Sequence, residues 1–192
     1  SGAVVRASVL RPGTEIGGHA VVLASYLAEG VEVEEHARVH ASYLGEHTAV
    51  GGGEVTSCLV GPHVAMHHSS LRIAALWPDG HGNIGYGANV GSNHTGRAPD
   101  QELLVGEGCF FGLSCCVKFP ADLREAAGSI IATGVVVPPG RIRFPLSLIQ
   151  SDPAGPPRIK PGWVFSANAY ALARNQQDRK STRLNSSHVS QS

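Results

Sequence analysis

A histidine stands in Ser92-Asn93-His94-Thr95, and a neutral imidazole with a pKa near ~6.5 can take the proton of a hydroxyl or an amine. Three carboxylates follow it, Asp100, Glu102 and Glu107, any of which could orient the ring. The plainer role for Asn93 and His94 is to hydrogen-bond and cap a loop. A second cluster, Gly61-Pro62-His63-Val64-Ala65-Met66-His67-His68, invites a metal reading, because imidazole is the commonest protein ligand for zinc-type ions. His63 and His68 are five residues apart, and His63 and His81 are 18 apart. A catalytic zinc needs three such ligands and an open position, whereas most of these side chains should face solvent. Cys115-Cys116 offers a thiol, but Cys115 falls on a small, inward position where cysteine is ordinarily inert core. Lys118, Arg141 and Arg143 could meet phosphate groups, or could simply line a solvated face.

The elements that must position these residues follow from a period of six. Aliphatic residues recur at Val4, Leu10, Ile16, Val22; at Val39, Leu44, Val50 with one short step; at Val60, Met66; Ile84, Val90; Val105, Phe111, Val117; and Ile130, Val136, Ile142, Leu148. Two places earlier stand small residues, among them Ser8, Thr14, Ala20, Ala37, Ser42, Cys58, Gly82, Ala88, Cys109, Cys115 and Gly134. Neither a helix nor a flat strand has this period, but a triangular solenoid does, with short strands as sides and about 18 residues per coil. Glycines after Ile16, Val60, Ile84, Val90, Val105 and Phe111 fit its corners, and explain why Gly and Pro number 24 and 12 while aromatics are only 6%.

The stretches 84–93 and 105–112, the clearest copies of the repeat, resemble the hexapeptide-repeat proteins. Their fold is the left-handed parallel β-helix, and many are trimeric acyltransferases. The likeness covers most of residues 2–150, and Gly91 to Leu148 looks most like an uncharacterised bacterial group of larger proteins. Left-handedness is implied by the resemblance alone. In many such acyltransferases a histidine precedes a loop, and the next coil reads as Val105-Gly106-Glu107-Gly108-Cys109-Phe110-Phe111-Gly112 does here. The resemblance therefore implies His94 as general base toward an acyl-CoA thioester, with Asn93 and Glu107 beside it. Gly112, Lys118, Gly134 and Arg141 would meet the coenzyme in a groove between protomers. The γ-class carbonic anhydrases belong to the same superfamily and supply the metal alternative at His63, His68 and His81. A third reading is a non-catalytic β-helix attached to a sugar-nucleotide-type enzyme domain.

Departures from the period mark places for chemistry. They fall at 71–80, where Arg72 and Pro78 take aliphatic places, at 95–104, and at 121–129, whose Asp122-Leu-Arg-Glu-Ala-Ala is helix-compatible. The expected layout is an all-β helix over 1–150 with short loop insertions. A turn-rich linker and a docking strand and helix then occupy 151–177. Residues 178–192 resemble a translated sequencing adapter, and Ser1 already carries the interior pattern, so a longer upstream chain is expected. Fifteen basic and 15 acidic residues, with a pI near 7.1, give no footprint of a nucleic-acid or anionic-membrane binder. No apolar run approaches the ~18 residues of a membrane span. Four cysteines without a disulfide-scaffold pattern point to a reducing cytoplasm. The sum is a cytoplasmic homotrimer that uses acetyl-CoA or another acyl-CoA on a small-molecule acceptor such as a sugar, with a resident metal not expected.

Overall fold

The computed structural model describes residues 2–92 and 102–167. Its strands are short and fall into three sheets, each the side of a prism. Sheet 1 runs from Val4–Arg6 to Val136–Val137, sheet 2 from Val9–Leu10 to Gly140–Arg141, and sheet 3 from Glu15–Ile16 to Leu148–Asp152. Sheets 1 and 2 have eight strands each; sheet 3 has nine, because Gly155–Lys160 folds back antiparallel on Leu148–Asp152. Within each sheet the other neighbours are parallel strands from successive coils. This is the expected all-β parallel helix. Helix Trp163–Ala167 follows the hairpin.

The coil is shorter than the expected 18 residues. Val5, Val22 and Val39 lie in register, 17 residues apart. The missing residue is always at the corner from sheet 1 to sheet 2, so the inward row steps Val5, Leu10, Ile16, Val22, Leu27, Val33, in intervals of five, six and six. The short step noticed at Val39–Leu44 is thus a rule. Ala7, Ala24, Ala41, Ser57 and Ala74 occupy this tight corner with φ between 47 and 55°. Left-handed backbone is strained for residues with a Cβ, and stacking from coil to coil imposes it here.

A hydroxyl ladder closes the same corner from inside. The Ser25 amide donates to Ser8 Oγ, that of Ser42 to Ser25 Oγ, and that of Cys58 to Ser42 Oγ, each at 3.1 Å. Each hydroxyl donates in turn to the carbonyl two residues back, in Arg6, Leu23 and His40. The small inward row is therefore chosen for hydrogen bonding as well as for size, since an unpaired buried amide costs about 1–3 kcal/mol.

Several phases differ from the sequence reading. Val5, Ile131, Val137 and Ile149 stand in the inward row where Val4, Ile130, Val136 and Leu148 were expected. The reason is that each pair of neighbours is aliphatic, and only the fold distinguishes them: Val137 is 4% exposed and Val136 49%. Segment 71–80 does not leave the solenoid. Leu71–Ile73 and Ala75–Trp77 are strands of sheets 1 and 2. Trp77 rather than Pro78 holds the inward place, with its indole N–H donating to Gly106 O at 2.8 Å. Segment 121–129 forms strand Ala121–Leu123 and a turn, with no helix. Asp152 to Gly155 is the hairpin turn, where a linker was expected.

Arg72 is the exception in the core. It stands in the aliphatic ladder between Val55 and Val90 and is 1% exposed. Its guanidinium lies 4.5 Å over the Trp77 ring, while Nε, Nη1 and Nη2 have no hydrogen-bond partner. Burial holds its pKa down at about 10. Replacing such a charge with an unbranched apolar side chain removes a desolvation cost, so Arg72→Met should stabilise the protein by about 1–4 kcal/mol, read as a raised urea midpoint. Gly82 has the opposite sensitivity, because a Cβ there would overlap both the Trp77 ring and the Cys109 carbonyl. Gly82→Ala should lower the same midpoint by the equivalent of about 1–3 kcal/mol.

Candidate functional site

The regular stacking is broken once by a long excursion among the described registers. Asn89 pairs with Cys116, a step of 27 residues where the preceding sheet-1 steps are 16 to 18. The chain leaves sheet 1 after Asn89–Ser92 and returns to sheet 2 at Leu103–Val105, so the excursion opens at the tight corner. Asn93, His94 and Asp100 lie outside the described residues. Glu102, at the return, is exposed and accepts the Ala121 amide at its carbonyl.

Of the other expected site residues, Lys118 and Arg141 flank this corner. Lys118 is in register with Ser92, is half-buried, and forms no ion pair among the described residues. A groove of about 330 Å³ lies beside it, lined by Glu102, Leu104, Pro120, Ala121, Asp122 and Arg141. Arg141 is already engaged there. Its Nε is 3.4 Å from Asp122 Oδ2 and its Nη2 meets Glu125 Oε1. Asp122 also accepts Arg124 Nε at 3.0 Å, Nη2 at 2.8 Å and the Arg124 amide at 3.1 Å. These bonds hold its carboxyl down at about 2. Two arginines and two acids thus form a locally neutral network where the sequence suggested a free phosphate ligand.

Gly112 and Gly134 belong to a different corner, from sheet 3 to sheet 1. A Cβ on Gly112 would lie 2.6 Å from Ile131 O, so this glycine serves close stacking; Gly134, at φ 70°, faces open space. Glu107 is at the corner from sheet 2 to sheet 3, with Oε1 3.9 Å from His81 Nδ1. It is therefore separated from the excursion's mouth by strand Leu103–Val105.

The metal alternative is divided in the same way. His63 and His81 stack at 5.1 Å between ring centroids at the sheet 2–3 corner. His68 lies at the other end of Ala65–Met66, edge-on to Tyr86 at 6.3 Å. No group of three or more His, Cys, Asp or Glu side chains converges as a metal site among the described residues. Cys115 is fully buried, and burial pushes its thiol up to about 12, as it does for Cys109; neither is an activated nucleophile.

Two features were missed. Glu15, Glu32, Glu34 and Glu35 line a groove of about 660 Å³ with His36 and His68. The 17-residue spacing of Glu15 and Glu32 was the available signal. A column of histidines at corners is the other; His19, His36, His47, His63 and His81 all have φ between 53 and 62°.

No family model matches the chain. It is similar to an uncharacterized protein of Treponema pallidum (strain Nichols), 29% identical over 144 residues, which are 71% of this chain and 20% of that protein. The chain thus spans about a fifth of that relative's length. Among solved structures it is similar to an Arabidopsis UDP-N-acetylglucosamine acyltransferase, with 13% identity, 90% of this chain and 75% of that one covered, and a TM-score of 0.35. It is also similar to a perosamine N-acetyltransferase from Caulobacter crescentus in complex with CoA and GDP-perosamine, at 19% identity, 82% and 55% coverage and a TM-score of 0.31. The acetyltransferase domain of PglB from Neisseria gonorrhoeae gives 17%, 80% and 57%, and 0.31. The fold rests on the strand registers above. No described helix is long and apolar enough to cross a membrane.

The Asp122 network gives a pH test. Its carboxyl has a folded pKa near 2 against an ordinary 3.8, so its stabilisation is complete above 3.8 and is lost as pH falls toward 2. Thermal unfolding from pH 4.5 downward should show this loss in the native chain, and Asp122→Asn should flatten that limb.

Proposed function

We propose that the protein is an acyltransferase that moves an acyl group from acyl-CoA to a hydroxyl or amine of a small acceptor such as a sugar, with His94 as general base. The observation that carries this reading is the 27-residue step from Asn89 to Cys116, which puts the His94 segment at the mouth of a groove on an otherwise regular prism. Lys118 is the cation beside that mouth, suited to a phosphate of the coenzyme. In the reaction His94 takes the acceptor proton as its oxygen or nitrogen attacks the thioester carbonyl. The tetrahedral intermediate is held by backbone N–H donors, then expels the coenzyme thiolate, which recovers the proton from the imidazolium.

Copies of the chain would assemble through sheet 2, as a homotrimer. Val9, Tyr26, Tyr43, Leu59 and Leu76 are in register along its outer face and all are 37 to 51% exposed. Tyr26 and Tyr43 stack at 5.3 Å, giving a flat apolar strip that packing against another copy would cover. The four free thiols suit a reducing cytoplasm, where acyl-CoA is made.

The second reading, a non-catalytic β-helix within a larger enzyme, is favoured by Arg141, whose charge is taken up by Asp122 and Glu125. Calorimetry with acetyl-CoA distinguishes the two. Saturable binding is expected, with His94→Ala binding equally well while thiol release in the presence of an accepted sugar or amine falls by ~10²–10⁴. Absence of acetyl-CoA binding by folded protein overturns the acyltransferase reading.

A further inference from the structure

At the corner from sheet 2 to sheet 3, the third residue after each inward aliphatic must adopt left-handed backbone. The successive occupants are Gly13, Gly30, His47, His63, then Gly80 and His81, Gly108 and Gly128, all at positive φ. The three histidine side chains lean along the stack. A Cβ on Gly30 would run into the His47 ring, so the column of rings starts where glycine leaves room for it. His47 and His63 are stacked with centroids 5.4 Å apart and planes 13° apart, and the His19–His36 pair at the sheet 3–1 corner is flatter still, at 5.3 Å and 6°.

The His63–His81 pair differs. Its planes are inclined by 44° at a centroid separation of 5.1 Å. Imidazole lone pairs lie in the ring plane, so an ion shared by two rings must lie on the line where their planes meet. Parallel stacked rings have no such line within reach; inclined rings do. A metal bound at ~2.0–2.1 Å from a ring nitrogen lies about 3.2 Å from the ring centroid, and two centroids 5.1 Å apart then subtend about 106° at the ion. That is close to the tetrahedral angle.

The donor atoms are prepared for this. His81 Nδ1 is 2.7 Å from Asp79 O, and a carbonyl only accepts, so Nδ1 carries the proton and Nε2 presents its lone pair. A backbone carbonyl holding the second nitrogen is the usual support of a ligating histidine. Burial, and then the adjacent His81 and His47 rings, hold His63 below its ordinary pKa, so this ring too is neutral at neutral pH. The His81 side chain keeps 30% of its surface exposed, so water can complete the coordination.

We infer that His63 and His81 form a two-imidazole site for a divalent transition-metal ion of the copper, nickel or zinc type, on the outer edge of the prism and separate from the groove beside residues 93–101. With two protein ligands the site is exchangeable rather than structural, and copper(II) is the strongest-binding member of the series. The inference does not depend on the acyltransferase proposal.

Copper(II) titration of the full chain tests it, read by electron paramagnetic resonance for nitrogen hyperfine coupling and by calorimetry for affinity. Glycine already occupies this corner in other coils, so His63→Gly and His81→Gly preserve the backbone, and circular dichroism verifies the fold. One equivalent bound through two nitrogens is expected, with each variant weakening it by about tenfold or more. His36→Gly, in the parallel pair, should leave it unchanged. Binding that survives both His63→Gly and His81→Gly, or that falls with His36→Gly or His68→Ala beside the glutamate groove, overturns the assignment, as does the absence of binding.

Discussion

Register between coils is the constraint from which the rest follows. Each amide of a two- or three-residue strand is satisfied only by the coil above or below, so one coil's length must match the next or the ladder of parallel pairs fails. The chain meets this with 17 residues, one fewer than three equal sides would need, and concentrates the shortage at a single corner. Alanine and serine there hold left-handed backbone that costs on the order of 1 kcal/mol per residue, offset by the stacked hydrogen bonds and by the Ser8–Ser25–Ser42–Cys58 ladder within. Core packing is subordinate to this. It accepts even a desolvated guanidinium at Arg72, provided the side chain fits the ladder and can stack on Trp77.

Much of the prism was legible because a repeat multiplies a weak signal. The six-residue spacing and the small residues two places earlier were enough to give three-sidedness, the buried alanines at 20, 37 and 88, and the buried Cys58, Cys109 and Cys115. What failed was phase, and it failed where chemistry is locally degenerate. In Ile130-Ile131 and Val136-Val137 either neighbour can serve the core. The five-residue corner was invisible for a related reason: glycine advertises left-handed backbone, whereas Ala7 or Ala24 does not.

The site divides along the same line. The position of the excursion followed from counting, since Asn89 and Cys116 are far apart in sequence but neighbours in one sheet. Grouping its partners did not, because residues on successive corners look equivalent in sequence and diverge by a whole face in space. Glu107 went to His81, and Arg141 to Asp122 and Glu125. Histidine pairs were read by sequence separation, yet ring tilt, which separates His63–His81 from the flat stacks, depends on the extra residue between Trp77 and Ile84.

The tight corner has one more consequence. It is the place where the backbone is most compressed, and it is also where the chain departs into residues 93–101. Lengthening the connection there releases local strain, and the entropy of a longer loop grows only slowly with its length. Coils on either side remain paired through the other two sheets, so the insertion point behaves like a socket in a rigid frame: what is held there can vary in length and composition while the prism keeps its dimensions.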